Sequence, residues 1–443
     1  MKKYVVLLCS VLMSLIVMAC GSDTPAAGGG TEATVADLPD EEIVAEGGAV
    51  SVWTWDPAFN IAAMREAERI YQEINPNFNL DISEVPWDDI QTRLITMGMA
   101  GALNELPDIF LIQDNALQKN IIDFPEIFVD LTDSGIDFNL FATAKVAYSV
   151  VNGRNFAVPF DNGVTIMALR TDILEEAGLA LDDFTDITWE RFIELGEIVL
   201  AATGHPLVSD NANEPDLLSV MMKSAGASLF NPDGSVNIVG NDILVESMEL
   251  ILAMRGNGVL LPINNWDEYI SSFTHGTVAG VVNGAWIMAS IVQIDDQEGH
   301  WGITNTPRLS RAPGATNYSV QGGSSWAVSN NGNDPSLAID FLANTFAGSV
   351  ALYENILPST GALATFLPAA ESDVYLTPHP FFAGQQVFAY ITRFADNVPT
   401  FTPGVFYYEA REAVGVSVQR VIDGVPLAQA IQEAENEVLF HMN

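Results

Sequence analysis

Three apolar runs in this chain stop on side chains that carry polar, planar or aromatic groups. AVSVW (49–53) leads into Thr54, Trp55 and Asp56, with Phe59 and Asn60 just beyond; PDIFLI (107–112) leads into Gln113, Asp114 and Asn115; GVVNGA leads into Trp286. A carboxylate accepts hydroxyl hydrogen bonds, a side-chain amide both donates and accepts, and an indole offers a flat apolar plate. Together they are the groups that hold a pyranose, which presents hydroxyls at its rim and C–H groups on its faces. A dry hydroxyl-to-carboxylate bond contributes about 1.5–3 kcal/mol, and a stacked ring about 0.5–1.5 kcal/mol beyond its buried area. Paired acids in a sugar cleft also serve glycoside hydrolysis, with the carboxyl groups roughly 5–9.5 Å apart. Taken singly, each residue has a plainer role: the aromatic packs in a core and the acid caps a helix. Recurrence at three run ends is what marks a site.

Other chemistries leave no trace in the motifs. There is no G-x-S-x-G nucleophile elbow, no H-E-x-x-H and no G-x-x-x-x-G-K-[ST] phosphate loop. His205, His275, His300, His379 and His441 lack ligand-like spacing, so neither a metal nor a cofactor is expected. Gly322-Gly323-Ser324 fits close backbone approach to a ligand, with a hydroxyl beside it, better than it fits phosphate. The 57 acids against 17 bases give a formal charge of −40, which opposes nucleic acid, anionic lipid and anionic substrates. A neutral or cationic solute is left, and most of the acids form a solvated coat.

The N-terminus reads as an export signal. Lys2 and Lys3 precede an apolar stretch from Val5 to Met18, and Ala19 precedes Cys20. The stretch is shorter than the ~20 residues a spanning helix needs, and no basic stop-transfer cluster follows it. Residues 1–19 are therefore expected to be a signal peptide. Val17-Met18-Ala19-Cys20 resembles the lipobox of bacterial lipoproteins, which implies lipidation at Cys20 and a membrane anchor there. The other cysteine, Cys9, lies inside the signal, so the exported chain forms no internal disulfide. Residues 20–48, rich in Gly, Ala, Thr and acids, read as a flexible tether.

The elements that must position the three run ends alternate. AVSVW is a strand; Ile61, Met64, Ala67, Ile70, Tyr71 and Ile74 share a helical face over 58–75, closed by Asn75-Pro76. LDISEV (80–85) is a strand, Asp88-Asp89 open a helix to about Ala100, and PDIFLI is a buried strand, giving a βαβαβ start. Later strands are expected at 162–170, 276–286 and 323–330, with helices at 188–202 and 336–347. Trp53, Trp189 and Trp326 take core or helix-entry roles. With 49% apolar residues, a mean hydropathy of +0.22 and 443 residues, the chain reads as globular α/β with more than one sheet. Ligands of open α/β sheets sit beyond the carboxyl ends of the strands, where the three clusters lie.

AVSVWTWDPAF, LPDIFLIQD, FAVPFDNGVTIMALRTDILEEAGL, ITWERFIEL, FTHGTVAGVVNGAWIM and GGSSWAVSNNGNDPSLAIDFL, in this order, resemble the extracellular solute-binding proteins of carbohydrate ABC transporters, the maltose-binding group. LPSTGALATFLP, PFFAGQQVF and FYYEAREAVGVSVQRVIDG resemble its lactose and arabino-oligosaccharide branch. The resemblance implies the two-lobed, type II periplasmic-binding-protein-like α/β fold with a sugar in the cleft. Lobe I would hold 49–161 and 306–350, and lobe II 162–305 and 351–443. It implies ligand contacts from Trp55, Asp56, Asp114 and Asn115; from the hinge residues Asp161 and Asn162; from stacking Trp286 and Tyr407; and from Gly322, Gly323, Ser324 and Arg411. Phe382 or its neighbour Phe381 would add a further aromatic. It also implies a monomer on the outer face of the cytoplasmic membrane, partnered by the transmembrane subunits of an ABC permease and performing no catalysis. A binder of a cationic solute such as a polyamine, a sensor lipoprotein and an acidic secreted glycoside hydrolase are the alternatives the residues leave open.

Overall fold

The computed structural model describes residues 48–442. The signal segment, Cys20 and the tether up to residue 47 lie outside the described residues.

The first sheet follows the expected alternation. Asn79–Glu84, Ala49–Thr54 and Ile109–Gln113 lie side by side and parallel, joined by the helices Ala62–Tyr71 and Trp87–Ala100. The run IFLI is apolar at every position because both of its faces are covered. Ile109 and Leu111 pack with Val50, Val52, Met64 and Phe341, whereas Phe110 and Ile112 pack with Ile90, Leu94 and Leu117. Ser324–Val328 then inserts antiparallel between Ile109–Gln113 and Ala157–Pro159. The first helix stops at Tyr71, short of Asn75-Pro76, and leaves Ile74 64% exposed, outside the apolar face assigned to it.

The second core is built on the antiparallel strands Gly280–Gly284, Thr165–Arg170 and Trp301–Thr304, beside a parallel pair, Val208–Asn211 with Leu260–Ile263. Trp189 is fully buried among Phe184, Phe192 and Leu195. Trp326 is fully buried in the first core, and Trp53 is half-buried beneath the Arg93 guanidinium, 5.0 Å from its ring centroid. The helices Tyr407–Ile422 and Leu427–His441 pack on each other and close the second core through Ala410, Val414, Ile431 and Val438.

Two antiparallel segments carry the chain between the sheets. Phe160 N–H donates to Ser324 (3.1 Å), Gln321 N–H to Gly163 (2.7 Å) and Thr165 N–H to Ser319 (2.9 Å). A third segment lies beside them, with Asp161 bridged to Ala364. Packing places two boundaries later in the chain than the resemblance implied. Leu309 and Ala312 are buried in the second core, and Asn317 donates to the carbonyls of Ile187 and Thr306, so 306–321 runs with the second sheet. Leu352, Tyr353, Ile356 and Phe366 are buried in the first core, so the helix Val350–Thr360 and the turn after it stay with the first sheet. The apolar face of that helix, packed on Ala62–Tyr71, decides this.

Candidate functional site

Between the two cores lies a cleft of about 1620 Å³, walled by both sheets and floored by the crossing segments. On the first wall, Asp56 lies two residues beyond the strand Ala49–Thr54 and turns the chain with φ 57°. Its carboxylate accepts the N–H groups of Ala58 (3.1 Å) and Phe59 (3.2 Å), capping the turn Pro57–Ile61. Burial lifts its carboxyl to about 6; the Phe59 and Ala58 N–H groups pull the other way, and the Glu84 charge adds to the rise. Trp55 lies beside it with Trp87, ring centroids 5.4 Å apart and planes at 52°. The Trp87 indole nitrogen and the Asn60 side-chain oxygen, on residues lining the cleft, are buried without a protein partner.

The second wall centres on Trp286. Its indole N–H donates to the Gln321 carbonyl at 3.0 Å, which fixes the ring in its plane. The ring has room because Gly284 and Gly322 lack side chains: a Cβ on either would lie 2.1 Å or 2.9 Å from the indole nitrogen. Trp266, the first residue of the helix Trp266–Thr274, lies 5.7 Å from Trp286 at 41°. Below them Asp216, opening the helix Asp216–Ser224, accepts from Gln321 Nε2, from Arg411 (3.0 Å) and from Asn283 (3.2 Å). Arg411 also donates to the Glu214 carbonyl at 3.2 Å. Asp210, in the strand Val208–Asn211, accepts the N–H groups of Asn211, Asp216 and Leu217 at 2.9–3.0 Å. Burial, and then the neighbouring Asp216 charge, push the Asp210 carboxyl well above the usual range.

Trp55, Asp56, Asp161, Trp286, Gly322, Gly323, Ser324 and Arg411 all line the cleft. Asp161 accepts both the backbone N–H (2.7 Å) and the hydroxyl of Ser324 (2.5 Å), so these two hold one another at the crossing. Asp114, Asn115, Asn162, Phe382 and Tyr407 do not line it. Asp114 is turned under Gly323 into an ion pair with Lys145 and accepts from the Ser325 hydroxyl at 2.8 Å. Gly323 is bare for that reason: a Cβ there would lie 2.7 Å from the Asp114 carboxylate and 3.0 Å from the Lys145 nitrogen. Asn115 is buried on the same helix, Asp114–Asp123. Phe382 is core, packed on Phe381 and His379. Tyr407 points to the helix Asp216–Ser224, with its hydroxyl 3.0 Å from that of Ser219 and Lys223 over its ring. Its neighbour Tyr408 faces the first core instead and donates to Gln113.

Sequence reasoning missed Trp87, Asp210, Asp216, Trp266 and Gln321. Trp87 and Trp266 open helices in PWDD and NWDE, and a tryptophan at a helix start after a strand was the available signal. Nothing local marks Gln321, whose role comes from the crossing it sits in.

Residues 67–378 match the family model described as bacterial extracellular solute-binding protein. A lactose-binding protein of Rhizobium radiobacter is 37% identical over 390 residues, spanning 88% of this chain and 92% of that protein. An arabinooligosaccharide-binding protein of Bacillus subtilis is 22% identical over 77% of this chain and 76% of that protein. In structure, the chain is similar to an ABC transporter associated binding protein from B. animalis subsp. lactis in complex with beta-1,6-galactobiose. The TM-score is 0.75 at 18% identity, covering 89% of this chain and 97% of that one. The architecture is thus the two-lobed type II binding-protein fold.

Proposed function

The chain belongs to the bacterial extracellular solute-binding proteins, and on that premise we propose that its cleft captures a neutral mono- or oligosaccharide for an ABC importer. The observation that carries the sugar reading is the pairing of indole plates with hydrogen-bonding groups on both walls. Trp55 and Trp87 stand beside Asp56 on one wall, and Trp266 and Trp286 beside Asp216 and Gln321 on the other. The buried, unpartnered atoms of Asn60, Trp87 and Gln321 add two acceptors and a donor that sugar hydroxyls can satisfy. The relatives are binding proteins, which sets aside the hydrolase.

Acidity alone would suit a polyamine. Three of the cleft acids, however, are already engaged: Asp161 by Ser324, Asp216 by Gln321, Arg411 and Asn283, and Asp210 by three backbone N–H groups. Asp56, Glu84, Asp88, Asp267 and Asp296 line the cleft as well, so it is the indole plates standing beside the acids, and not a shortage of free carboxylates, that favour a sugar over a polycation.

Ligand contacts to both walls form together only when the cleft is shut, so binding shifts the population toward the closed form that the permease subunits recognise. The protein acts as a monomer, held on the outer face of the cytoplasmic membrane by acylation at Cys20. A thermal-shift screen with lactose, arabino-oligosaccharides, maltose and spermidine tests the ligand class. At a hundred times Kd a ligand adds about 2.7 kcal/mol, so stabilisation by a neutral oligosaccharide is expected. Stabilisation by spermidine alone would overturn the sugar reading.

A further inference from the structure

Trp266 is 45% exposed on the cleft wall, although its position is tightly set. Asn265 caps its helix by accepting the Glu268 N–H at 2.9 Å, and the indole leans on Tyr269 (5.5 Å, 39°) as well as on Trp286. Trp286 is pinned through its N–H to Gln321, so what it offers a ligand is its face. A pyranose lying flat on Trp286 is inclined by 41° to Trp266, whose centroid is displaced by 5.7 Å. One chair therefore cannot stack on both indoles, whereas two rings turned about a glycosidic bond can. We propose that Trp266 binds the second ring of the ligand and so sets a preference for chains of two or more sugars over a single one. This rests on the sugar reading given above.

Stacking contributes only where a ring is present, so the two indoles separate by ligand length. Calorimetric titration of the full exported chain with lactose and with galactose, for wild type, Trp266→Ala, Trp266→Phe and Trp286→Ala, tests the assignment. Trp266→Ala should weaken lactose binding about tenfold while changing galactose affinity less than about twofold, and Trp266→Phe should recover most of the loss. Trp286→Ala should weaken both sugars. Because Trp266 is half exposed, its variants should keep the wild-type melting temperature, which scanning calorimetry of the same samples checks. Equal losses for both sugars in Trp266→Ala, or unchanged lactose affinity, would overturn the proposal. A wild type that binds neither moves the same comparison to the oligosaccharide that stabilises it in the thermal-shift screen and to that sugar's single ring, and a screen in which no sugar stabilises it removes the sugar reading and the second-ring assignment with it; a wild type that binds both with no length-selective loss in Trp266→Ala sinks the assignment alone.

Discussion

Trp286 and Gln321 are joined through the backbone: the indole N–H donates to the Gln321 carbonyl at 3.0 Å, tying the end of a second-sheet strand to the segment that crosses to the first. The same residue's side chain donates to Asp216. One crossing residue thus sets the aromatic and the acidic parts of the second wall together. Closure about that crossing carries them as a unit.

Trp286→Ala should therefore do more than remove a stacking plate. We expect at least a tenfold loss of sugar affinity, roughly the sum of a stacked ring and its buried area. The ring also packs against both cores, and its loss leaves the Gln321 carbonyl without its donor, so the unliganded protein should melt several degrees lower. Titration calorimetry and thermal melts of the same samples check this. Trp286→Phe, which keeps a face and loses the N–H, should fall between the two.

How much of this was legible depends on what a strand end can say. The rule that ligands sit beyond the carboxyl ends of strands found Trp55, Asp56 and Trp286, because each lies within two residues of its strand's end. It does not tell which way the next side chain turns. Asp114 also follows a strand, yet its backbone has entered a helix and its carboxylate points under Gly323. Tyr407 and Tyr408 are neighbours about 100° apart around one helix, which sends one to Ser219 and the other to Gln113. The glycines at 322 and 323 line the cleft, and each has a further reason to lack a side chain: they make room for the Trp286 ring and for the buried Asp114–Lys145 pair. Those partners lie far off in sequence, so no local pattern names them.

Asp56 should make sugar binding pH-dependent. Burial raises its carboxyl to about 6, above its unfolded value, so its contribution to folding is complete below pH 3.8 and is lost as pH rises through about 6. A sugar hydroxyl donating to the carboxylate favours the ionised form, so binding should release protons near pH 6, and affinity should fall as pH drops below it. Titrations at pH 5, 6, 7 and 8 in two buffers of different ionisation enthalpy read both effects. In Asp56→Asn, which keeps an acceptor for the turn N–H groups, this drop should disappear. An unchanged pH profile in that variant would mean another group titrates.

The Asp114–Lys145 pair should be a stability element without a direct part in binding. Both side chains are buried, 3% and 8% exposed, so Lys145→Met leaves a carboxylate in the interior with Ser325 as its remaining side-chain partner. Such a break costs roughly 3–5 kcal/mol. Burial already raises the Asp114 carboxyl, and Lys145 is the largest influence pulling it back. In the variant the carboxyl rises further, so the deficit should be greatest at neutral pH and shrink as acid protonates it. Denaturant melts at pH 5 and 8 show the difference; sugar affinity of the folded fraction should change little.

Arg411 tests the acidic side of the second wall. Its guanidinium lies between Asp216 (3.0 Å) and the Glu214 carboxylate (3.4 Å), and its side chain is 19% exposed. Burial raises the Glu214 carboxyl, and Arg411 is the largest influence opposing that rise. Arg411→Met keeps the length and apolar stem while removing the charge, leaving Glu214 and Asp216 without the cation that lies between them. A fully dry pair would cost about 3–5 kcal/mol to break, so for this partly wetted one ~2–3 kcal/mol is expected at pH 8. Without Arg411 nothing offsets burial at Glu214 and its carboxyl rises further, so the variant should regain stability as pH falls and that group takes up a proton, the reverse of ordinary acid loss. Sugar affinity should fall as well, because Asp216 no longer has Arg411 to hold it against Gln321. Melts between pH 5 and 8 decide the matter: a loss of the same size at every pH would show that Arg411 acts through packing of its stem and not through its charge.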